Sequence, residues 1–285
     1  MRRRSHRLSA PVTDDRTVEG FGYEWTKFDQ SARSEVDLGE TFLKYFAGFP
    51  WNEVAQGARA LDAGCGTGRW ARFVAERVAS LSCVDPSLAA VRVARRAVQD
   101  RENCHTLQAA AGRLPFADET FDLGYCLGVL HHTPRPAAAL RDVVRTLKVG
   151  APLLVYVYYA LDNRPLWFRA AWRLSDLFRR ALSLAPLRWR YIPTQLIAVV
   201  VYLPLARLAA AIERRGFNVE ALPLSAYRNK SLYVMRTDAF DRLGTPVEKR
   251  FTARQLEQLM LGAGLSRVAV APTAPYWRAV GYRTA

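Results

Sequence analysis

Short runs of apolar residues alternate along the chain with longer stretches in which apolar residues recur every three or four positions. The runs predict buried strands, because parallel strands that are covered on both faces read as near-continuous hydrophobic segments. The recurring positions predict helices that cover such a sheet with one apolar face. The predicted strands are 58–63, 80–84, 104–107, 121–126, 152–158, 265–271 and 276–282. Strands and helices in alternation predict an α/β fold.

Helices are predicted between these strands and before the first of them, over 38–46, 70–79, 88–98, 137–147 and from 252 onwards. Gly262 and Gly264 end the last helix, and Pro272 and Pro275 separate the two strands that follow it. We expect these two strands to pair in antiparallel fashion.

Three glycines at alternate positions, Gly64, Gly66 and Gly68, separate the first predicted strand from its helix. Glycines let a backbone approach a ligand where a Cβ would clash, and the helix N-terminus behind them offers unpaired N–H groups. This arrangement is typical of the first crossover of a nucleotide-binding sheet. The spacing lacks the two-residue gap of the dinucleotide fingerprint, and the chain has no Gly-Lys-Ser/Thr phosphate loop. Both absences argue against NAD and ATP as ligands.

One acidic residue lies in the first predicted strand, and another follows the second predicted strand directly. Asp85 follows the second strand and lies 23 residues after Asp62 in the first. A carboxylate at this place can accept hydrogen bonds from both hydroxyl groups of an adenosine ribose. The residues around the glycines therefore predict a site for an adenosine-containing ligand.

Three segments carry a resemblance to a known family: LDAGCGTGRW at 61–70, VDPS at 84–87 and LPFADETFDLGYCLGVLHHTPRP at 114–136. With them the chain resembles the class I S-adenosylmethionine-dependent methyltransferases, in particular the branch that contains the ubiquinone and menaquinone biosynthesis enzymes. The resemblance is strong over about 58–158 and looser at the C-terminal end. It implies a Rossmann-like, seven-stranded methyltransferase sheet with a C-terminal antiparallel hairpin, and methyl transfer from S-adenosyl-L-methionine as the activity.

The resemblance also implies which residues hold the cofactor. Asp62 and the glycines would hold the methionine end, Asp85 would hold the ribose, and 127–131 would form the floor beneath the reacting methyl group. The implied cofactor-binding residues are Asp62, Gly64, Cys65, Gly66, Gly68, Asp85, Pro86, Ala110, Ala111, Leu127 and Gly128.

One position departs from the family pattern. After the third strand the family has an Asp-Ala pair whose carboxylate meets the adenine amino group, and this chain has Ala110 and Ala111 instead. The backbone N–H of Ala111 could still meet the adenine ring nitrogen. Losing one hydrogen bond to a neutral group costs about 0.5–1.5 kcal/mol, so we expect weaker cofactor binding rather than none.

His131 and His132 lie in the loop after the fourth predicted strand, where open α/β sheets place their ligands. A histidine there can remove a proton from the nucleophile during methyl transfer, since its unperturbed pKa of about 6.5 suits that task. Both are candidate catalytic residues, and His131 is the preferred one. The alternative is a structural role, in which they bond the loop backbone and shape the pocket.

The chain before the first strand predicts two segments. Residues 1–17 have the composition of a disordered basic tail, and 18–57 form a helical segment that in the family often closes over the cofactor as a lid. Tyr23 and Trp25 are candidate residues of that lid. Alternatively, these aromatic residues pack a helix onto the sheet.

An insertion of about 90 residues, over 160–250, separates the core at 58–159 from the C-terminal segment 251–285 that completes it. Between 163 and 212 the insertion has eight arginines and one acidic residue. Its apolar residues near 167–178 recur at helical spacing with arginines between them, which predicts a basic helical cap. Such a cap could rest on an anionic membrane, close over an amphipathic substrate, or bury its apolar face on the sheet edge.

The uncharged run from 191 to 206 is not expected to cross a membrane. Its 16 residues fall short of the ~20 that span a bilayer, and Pro193 and Pro204 should break the helix. The candidate substrate-binding residues are aromatic or basic, namely Tyr23, Trp25, Arg169, Trp172 and Tyr276.

The net charge of +15 comes from 36 arginines and five lysines against 26 acidic residues. Because genomic composition can produce such an excess of arginine, it is weak evidence for nucleic-acid binding. No secretory signal is expected at the start of the sequence, since no apolar stretch follows the first arginines. The four cysteines are Cys65, Cys83, Cys104 and Cys126, and they follow no metal-binding spacing, so no metal site is expected. They are typical of a protein from a reducing compartment. We expect a cytoplasmic protein that could contact a membrane surface peripherally.

The loop after the fourth strand also bears on the acceptor. It has no Asn/Asp-Pro-Pro-Tyr sequence and no Pro-Cys nucleophile pair, which argues against methylation of adenine or cytosine bases. The favoured acceptor is small or lipid-like and anionic, and is methylated on oxygen or carbon. Two alternatives stay open: an RNA-directed methyltransferase, and an inactive cofactor-binding partner protein.

Overall fold

The computed structural model describes residues 11–162, 164–220, 222–273 and 276–285. The chain divides into two compact units. The first contains the described residues up to Val18 together with Glu35–Ala160 and Val247–Ala285. The second contains Glu19–Ser34 and Leu161–Pro246. Most of the predicted insertion (160–250) thus falls in one unit with part of the N-terminal segment, whereas Ala160 and residues 247–250 belong to the first unit.

The first unit is built on a seven-stranded sheet. Its strands are β1 (Arg59–Ala63), β2 (Ser80–Asp85), β3 (Cys104–Gln108), β4 (Leu123–Leu127), β5 (Pro152–Tyr158), β6 (Leu265–Thr273) and β7 (Tyr276–Arg283). The strand order is β3-β2-β1-β4-β5-β7-β6. Strands β1 to β5 are parallel, and β7 is antiparallel to both of its neighbours. The predicted fold class and the antiparallel C-terminal hairpin are confirmed.

The described residues form ten α-helices. They are α1 (Asp15–Lys27), α2 (Glu35–Tyr45), α3 (Ala71–Ala75), α4 (Leu88–Ala97), α5 (Pro136–Arg145), α6 (Leu166–Leu184), α7 (Leu187–Ile197), α8 (Leu203–Glu213), α9 (Leu232–Gly244) and α10 (Ala253–Leu261). Short 3₁₀ turns occur at Trp51–Glu53, Leu130–His132 and Ser225–Tyr227, and a π-helical segment at Ala198–Tyr202.

The order of the sheet reverses at β1, because β2 lies on one side of it and β4 on the other. In an open parallel sheet the carboxyl ends of the strands share one edge, and ligands bind where the order reverses. The core around this point is fully buried, as Leu61 of β1 and Leu123 of β4 show no solvent exposure. The topology therefore predicts a ligand site formed by the residues that follow β1, β2 and β4.

Helix α3 is shorter than the predicted helix over 70–79. Its last turn tightens, because the N–H of Arg77 donates to the carbonyl oxygen of Val74 at 2.9 Å. The N–H of Ala79 already donates to Ala58 at 2.9 Å, next to the start of β1. The chain has to leave the helix before that contact, so the apolar spacing beyond α3 does not continue as helix.

Helix α1 begins at Asp15, inside the segment predicted to be disordered. Asp14 favours this early start, because its Oδ2 accepts hydrogen bonds from the N–H of Thr17 at 2.8 Å and from the Thr17 hydroxyl at 2.6 Å. A side chain in this role satisfies one of the unpaired N–H groups of the first turn. Residues 1–10 of the predicted tail lie outside the described part of the chain.

The prediction that prolines break the apolar run of the insertion is wrong. Helices α7 and α8 are joined through the π-helical segment into one helix of 27 residues, Leu187–Glu213, with Pro193 inside it. A π turn shifts the backbone bonding by one residue, and Pro204 follows this turn directly as the second residue of α8. By length and composition this helix is able to cross a membrane, although the uncharged run within it is shorter than a span.

Candidate functional site

The loop after β1 depends on its glycines. Gly64, Gly66 and Gly68 have φ values of +89°, +54° and +74°, a backbone region that side chains strain. A Cβ on Gly64 would overlap Cγ2 of Val129, which lies in the loop after β4. The N–H groups of Gly64 and Cys65 donate to the carbonyl oxygen of Val84 at 2.7 and 2.9 Å. The loop is thus folded against the end of β2, and the positions where Gly64 and Gly68 lack a side chain are closely packed by Val129 and Ala94.

Asp85, at the end of β2, is held by this loop. Its Oδ2 accepts from the N–H of Gly66 at 3.1 Å, and its Oδ1 accepts from the N–H of Ser87 at 2.9 Å. Burial raises the pKa of Asp85 to about 6, although the two backbone hydrogen bonds oppose the rise. Each carboxylate oxygen can accept a second bond. Asp85 therefore keeps two acceptor positions, which is what its predicted role as the ribose acceptor requires.

Asp62 of β1 is more deeply buried, with 2% of its surface exposed. Burial raises the pKa of Asp62 to about 8, and the nearby Tyr125 hydroxyl lowers it in part. Oδ2 of Asp62, the Tyr125 hydroxyl and the Thr67 hydroxyl are buried, and within the described part of the chain none of them has a hydrogen bond of normal geometry. Buried polar groups are seldom left unpaired, so these atoms are suited to bind the polar end of a ligand.

The loop after β3 contains the departure at Ala110 and Ala111. Its ends are fixed, because the N–H of Ala109 donates to the carbonyl oxygen of Asp85 at 3.1 Å. On the other side, Oδ2 of Asp142 accepts from the N–H groups of Gly112 at 3.0 Å and Leu114 at 2.7 Å. Asp142 lies on α5, about 30 residues further along the chain, and no local sequence pattern links it to this loop. The loop is well held, but the methyl group of Ala110 cannot accept a hydrogen bond from an adenine.

Pro86, Leu127 and Gly128 complete the rim of the site. The carbonyl oxygen of Pro86 accepts from the side-chain amide of Gln108 at 2.9 Å. Leu127 ends β4, and the N–H of Gly128, at a φ of +82°, donates to the carbonyl oxygen of Tyr156 at 3.2 Å. The floor after β4 is thereby tied to β5.

His131 is fully buried, with 0% of its surface exposed, and neither ring nitrogen has a hydrogen bond within the described part of the chain. Its ring centroid lies 4.1 Å from those of His132 and Tyr158. Burial, followed by the neighbouring His132 and Arg250, lowers the pKa of His131 well below its ordinary value. The imidazole is therefore neutral at physiological pH and can form hydrogen bonds to a ligand.

His132 is fixed from the segment before α10. Its Nδ1 lies 2.8 Å from the carbonyl oxygen of Val247, which makes that nitrogen the donor. The N–H of Lys249 donates to the carbonyl oxygen of His131 at 2.8 Å. The two histidines thus differ: one is held by a backbone contact, and the other has both nitrogens unpaired. This support from 247–249 is distant in sequence and was not predicted.

Aromatic side chains from four elements meet beside this floor. The ring centroid of Tyr45, from α2, lies 5.0 Å from Trp70, 5.2 Å from Tyr156 and 5.1 Å from Tyr276. Tyr156 lies 4.6 Å from Tyr276 and 5.9 Å from His131. We call this group the aromatic wall; its members are Tyr45, Trp70, Tyr156, Tyr158 and Tyr276. Of these residues, only Tyr276 was predicted from the sequence as a substrate-binding candidate.

The other predicted substrate-binding residues, Tyr23, Trp25, Arg169 and Trp172, belong to the second unit. There the Tyr23 ring lies 6.1 Å from Tyr191 and 5.9 Å from Phe240. Trp25 stacks on Phe21 at 6.1 Å.

The residues of the first unit fit an S-adenosylmethionine ligand. The glycine loop follows β1 with three positive φ values, each oxygen of Asp85 keeps the capacity for one more hydrogen bond, and Oδ2 of Asp62 is buried without a hydrogen bond of normal geometry. Within the described residues, no group of three or more His, Cys, Asp or Glu side chains could hold a metal ion.

Comparison with known proteins agrees with this geometry. A family described as a methyltransferase domain matches residues 61–155. The chain is 37% identical over 170 residues to the ubiquinone biosynthesis O-methyltransferase of Alkalilimnicola ehrlichii. This match covers 55% of this chain and 67% of that enzyme. It is 27% identical over 147 residues to cycloartenol-C-24-methyltransferase 1 of Oryza sativa subsp. japonica. That match covers 50% of this chain and only 41% of the rice enzyme.

A solved structure shares the fold over nearly the full length. It is the methyltransferase in complex with the Trm112 methyltransferase activator of Haloferax volcanii, with a TM-score of 0.55 and 15% identity, covering 94% of this chain and 98% of that one. At such low identity the likeness shows the fold alone. The glycine loop and Asp85 lie within the matched methyltransferase domain, and 67% of the ubiquinone enzyme is covered at 37% identity, so the chain belongs to the class I S-adenosylmethionine-dependent methyltransferases.

Proposed function

We propose that this methyltransferase acts on an oxygen or carbon atom of a small or lipid-like, anionic acceptor. The observation that carries the proposal is the aromatic wall beside Gly128 and His131, since aromatic faces suit a flat or apolar acceptor better than a charged polymer. The names of the two similar enzymes, which refer to ubiquinone and cycloartenol, support an acceptor of this class.

Each part of the site would have a separate task. When bound, S-adenosylmethionine supplies an electrophilic methyl group. The Gly64–Gly68 loop and Asp62 hold one end of the ligand, and Asp85 holds the ribose hydroxyls. The residues 127–131 and the aromatic wall exclude water and align the acceptor, because orientation provides much of the rate acceleration when the methyl group is already activated.

His131 is proposed to accept the proton from an acceptor hydroxyl. It is neutral, buried and has unpaired ring nitrogens. Its lowered pKa makes it a weak base, so the proton transfer would accompany bond formation rather than precede it. His132, whose Nδ1 contacts the Val247 carbonyl oxygen, is proposed to keep His131 in position.

The experiment is product identification. Purified full-length protein is incubated with methyl-labelled S-adenosylmethionine and separate lipid, polar small-molecule and RNA fractions of cell extract, with the Asp85→Asn variant as the control. We expect labelled product in the lipid or small-molecule fraction, which the variant forms more slowly. Label in the RNA fraction alone would overturn the proposal and favour the RNA-directed alternative.

The inactive-partner alternative gives a different result. A cofactor-binding partner protein would bind S-adenosylmethionine and transfer no label to any fraction. The net charge of +15 is shared with many RNA-binding proteins, but RNA affinity that rests on charge falls steeply with salt. Cytoplasmic location with peripheral membrane contact is part of our proposal, since a lipid-like acceptor resides at a membrane.

A further inference from the structure

The burial pattern of α6 is inverted relative to an ordinary helix. Its buried residues are polar: Asp176, Arg179 and Ser183. Its exposed residues include most of its large apolar side chains, namely Leu166, Trp167, Leu174, Leu177, Phe178 and Leu184. A helix in water normally buries its apolar stripe and exposes its charges. The outward face of α6 is therefore an exposed apolar surface.

The continuous helix Leu187–Glu213 repeats the inversion over its first half. Arg190 and Thr194 are buried, whereas large apolar side chains point outward along its length: Trp189, Ile192, Leu196, Val199, Val200, Val201, Leu205 and Leu208. In its most apolar window, 22% of the residues are buried. Among the described residues, 16 of the 22 exposed large apolar side chains lie between Leu166 and Leu222.

The polar interior of this unit is hydrogen-bonded. Arg179 donates to Oδ1 of Asp176 at 2.8 Å and to the carbonyl oxygen of Thr245 at 2.7 Å. Arg190 donates to the carbonyl oxygens of Ala185 at 2.7 Å and Gly244 at 3.0 Å. Buried charges are tolerated when they are paired in this way. The buried polar side chains therefore have hydrogen-bond partners inside the unit, and the apolar side chains lie on its surface.

The charge beside the apolar face has one sign. Arg169, Arg173 and Arg180 of α6 recur at helical spacing on a strip between its buried and its apolar faces. The segment from 163 to 212 has eight arginines and one acidic residue, Asp176, which already pairs with Arg179 and Arg180. Arginine and tryptophan next to an exposed apolar face are the residues that anchor helices at anionic lipid headgroups.

We propose that the outward faces of α6 and of the helix Leu187–Glu213 form a docking surface for an anionic lipid bilayer. The helices lie in the headgroup region with their apolar side chains in the outer part of one leaflet. This lipid surface would give a methyltransferase access to an acceptor that resides in the membrane. That purpose rests on the proposed function, whereas lipid binding itself does not.

The packing favours an in-plane arrangement over a membrane span. The buried side of Leu187–Glu213, at Ala198, Tyr202 and Ala206, packs on Met235 and Ala239 of α9. Helix α9 brings charged residues with it, since Arg236 donates to Gln195 at 2.6 Å and Asp238 accepts from the Tyr227 hydroxyl at 2.7 Å. A spanning helix would draw these charges into the hydrocarbon, which is costly. In the interface they stay on the watery side.

The test is flotation of the full-length protein, without S-adenosylmethionine, on vesicles of phosphatidylcholine alone or mixed with phosphatidylglycerol. The variant Ile192→Glu/Leu196→Glu places two charges on side chains that are 63% and 61% exposed. The matched control is Val36→Glu/Leu43→Glu, which adds the same charge at 72% and 66% exposed positions of α2. Far-UV circular dichroism and thermal melts check that each variant folds.

We expect the wild type and the α2 control to float with the anionic vesicles, and the 192/196 variant to partition at least tenfold less. Arg169→Gln/Arg173→Gln should lower partition to anionic vesicles about fivefold per arginine. The absence of binding by the wild type, or equal binding by both glutamate variants, overturns the proposal. So does a dimer that dissociates in the 192/196 variant, since the face would then be an interface between copies of this chain. S-adenosylmethionine affinity and methyl transfer, measured separately, report on the proposed function alone.

Discussion

Asp62 on β1 and Tyr125 on β4 are direct neighbours in the register of the two strands, and both side chains are buried. Burial raises the pKa of Asp62 to about 8, and the Tyr125 hydroxyl offsets only part of the rise. At neutral pH the carboxyl group is therefore largely protonated in the ligand-free protein. The methionine end of S-adenosylmethionine carries a positive amino group, and a cation beside Asp62 favours the ionised carboxylate.

Cofactor binding is therefore expected to release on the order of one proton per site near pH 7, because the pKa of Asp62 falls when the cation arrives. Titration calorimetry in buffers of different ionisation enthalpy measures this release. In Asp62→Asn the release should disappear. A binding enthalpy of the wild type that does not depend on the buffer would contradict the placement of Asp62 at the methionine end.

Substitution of Asp85 should weaken the cofactor site directly. Asp85→Ala removes the proposed ribose acceptor and the acceptor for the N–H groups of Gly66 and Ser87. We expect a loss of about 1–3 kcal/mol, or roughly 5–150-fold in affinity for S-adenosylmethionine. The control for the loss of an acidic residue is Asp122→Ala, at a partly exposed carboxylate that pairs with Lys148. Unchanged affinity in the folded Asp85 variant would contradict the ribose assignment.

Ala110→Asp should strengthen cofactor binding, because it restores the carboxylate that the family has for the adenine amino group. The loop is held by Asp142 and by Ala109, so it is preorganised to present the new side chain. One added hydrogen bond contributes about 0.5–1.5 kcal/mol, or roughly twofold to tenfold in affinity. Ala109→Asp is the neighbouring control, and calorimetry is the measurement. A weaker or equal affinity in Ala110→Asp would show that adenine does not lie against this loop.

His131→Ala is expected to lower turnover by about 10²–10⁴-fold while cofactor affinity stays near that of the wild type. Because the pKa of His131 lies well below its ordinary value, turnover of the wild type should not fall through an acidic limb near pH 6.5. His132→Asn, which keeps a donor for the Val247 carbonyl oxygen, is the control and should lose much less. A loss under tenfold in His131→Ala would assign both histidines a structural role, and a limb near pH 6.5 would contradict the buried neutral state.

Local sequence patterns were sufficient for the architecture of the first unit. A strand that ends in Gly64, Gly66 and Gly68 needs positive φ values, and the residue types state this directly. Strand and helix periodicities are short-range properties, so β1 to β7 lie close to their predicted positions. The end of an element differs from its predicted position where a contact with a distant residue decides it. The helix after Gly68 is shorter than predicted because the N–H of Ala79 donates to the carbonyl oxygen of Ala58.

Only the tertiary structure decided which distant side chains meet. Asp142 supports the loop at Ala110, and Tyr45 meets Tyr276, because folding brings together residues from separate elements that no local pattern links. The burial of the insertion was decided in the same way. Helical spacing shows that α6 has an apolar and a polar face, but not which face packs inward. That choice depends on partners for Asp176 and Arg179, which the distant backbone at Thr245 helps to provide.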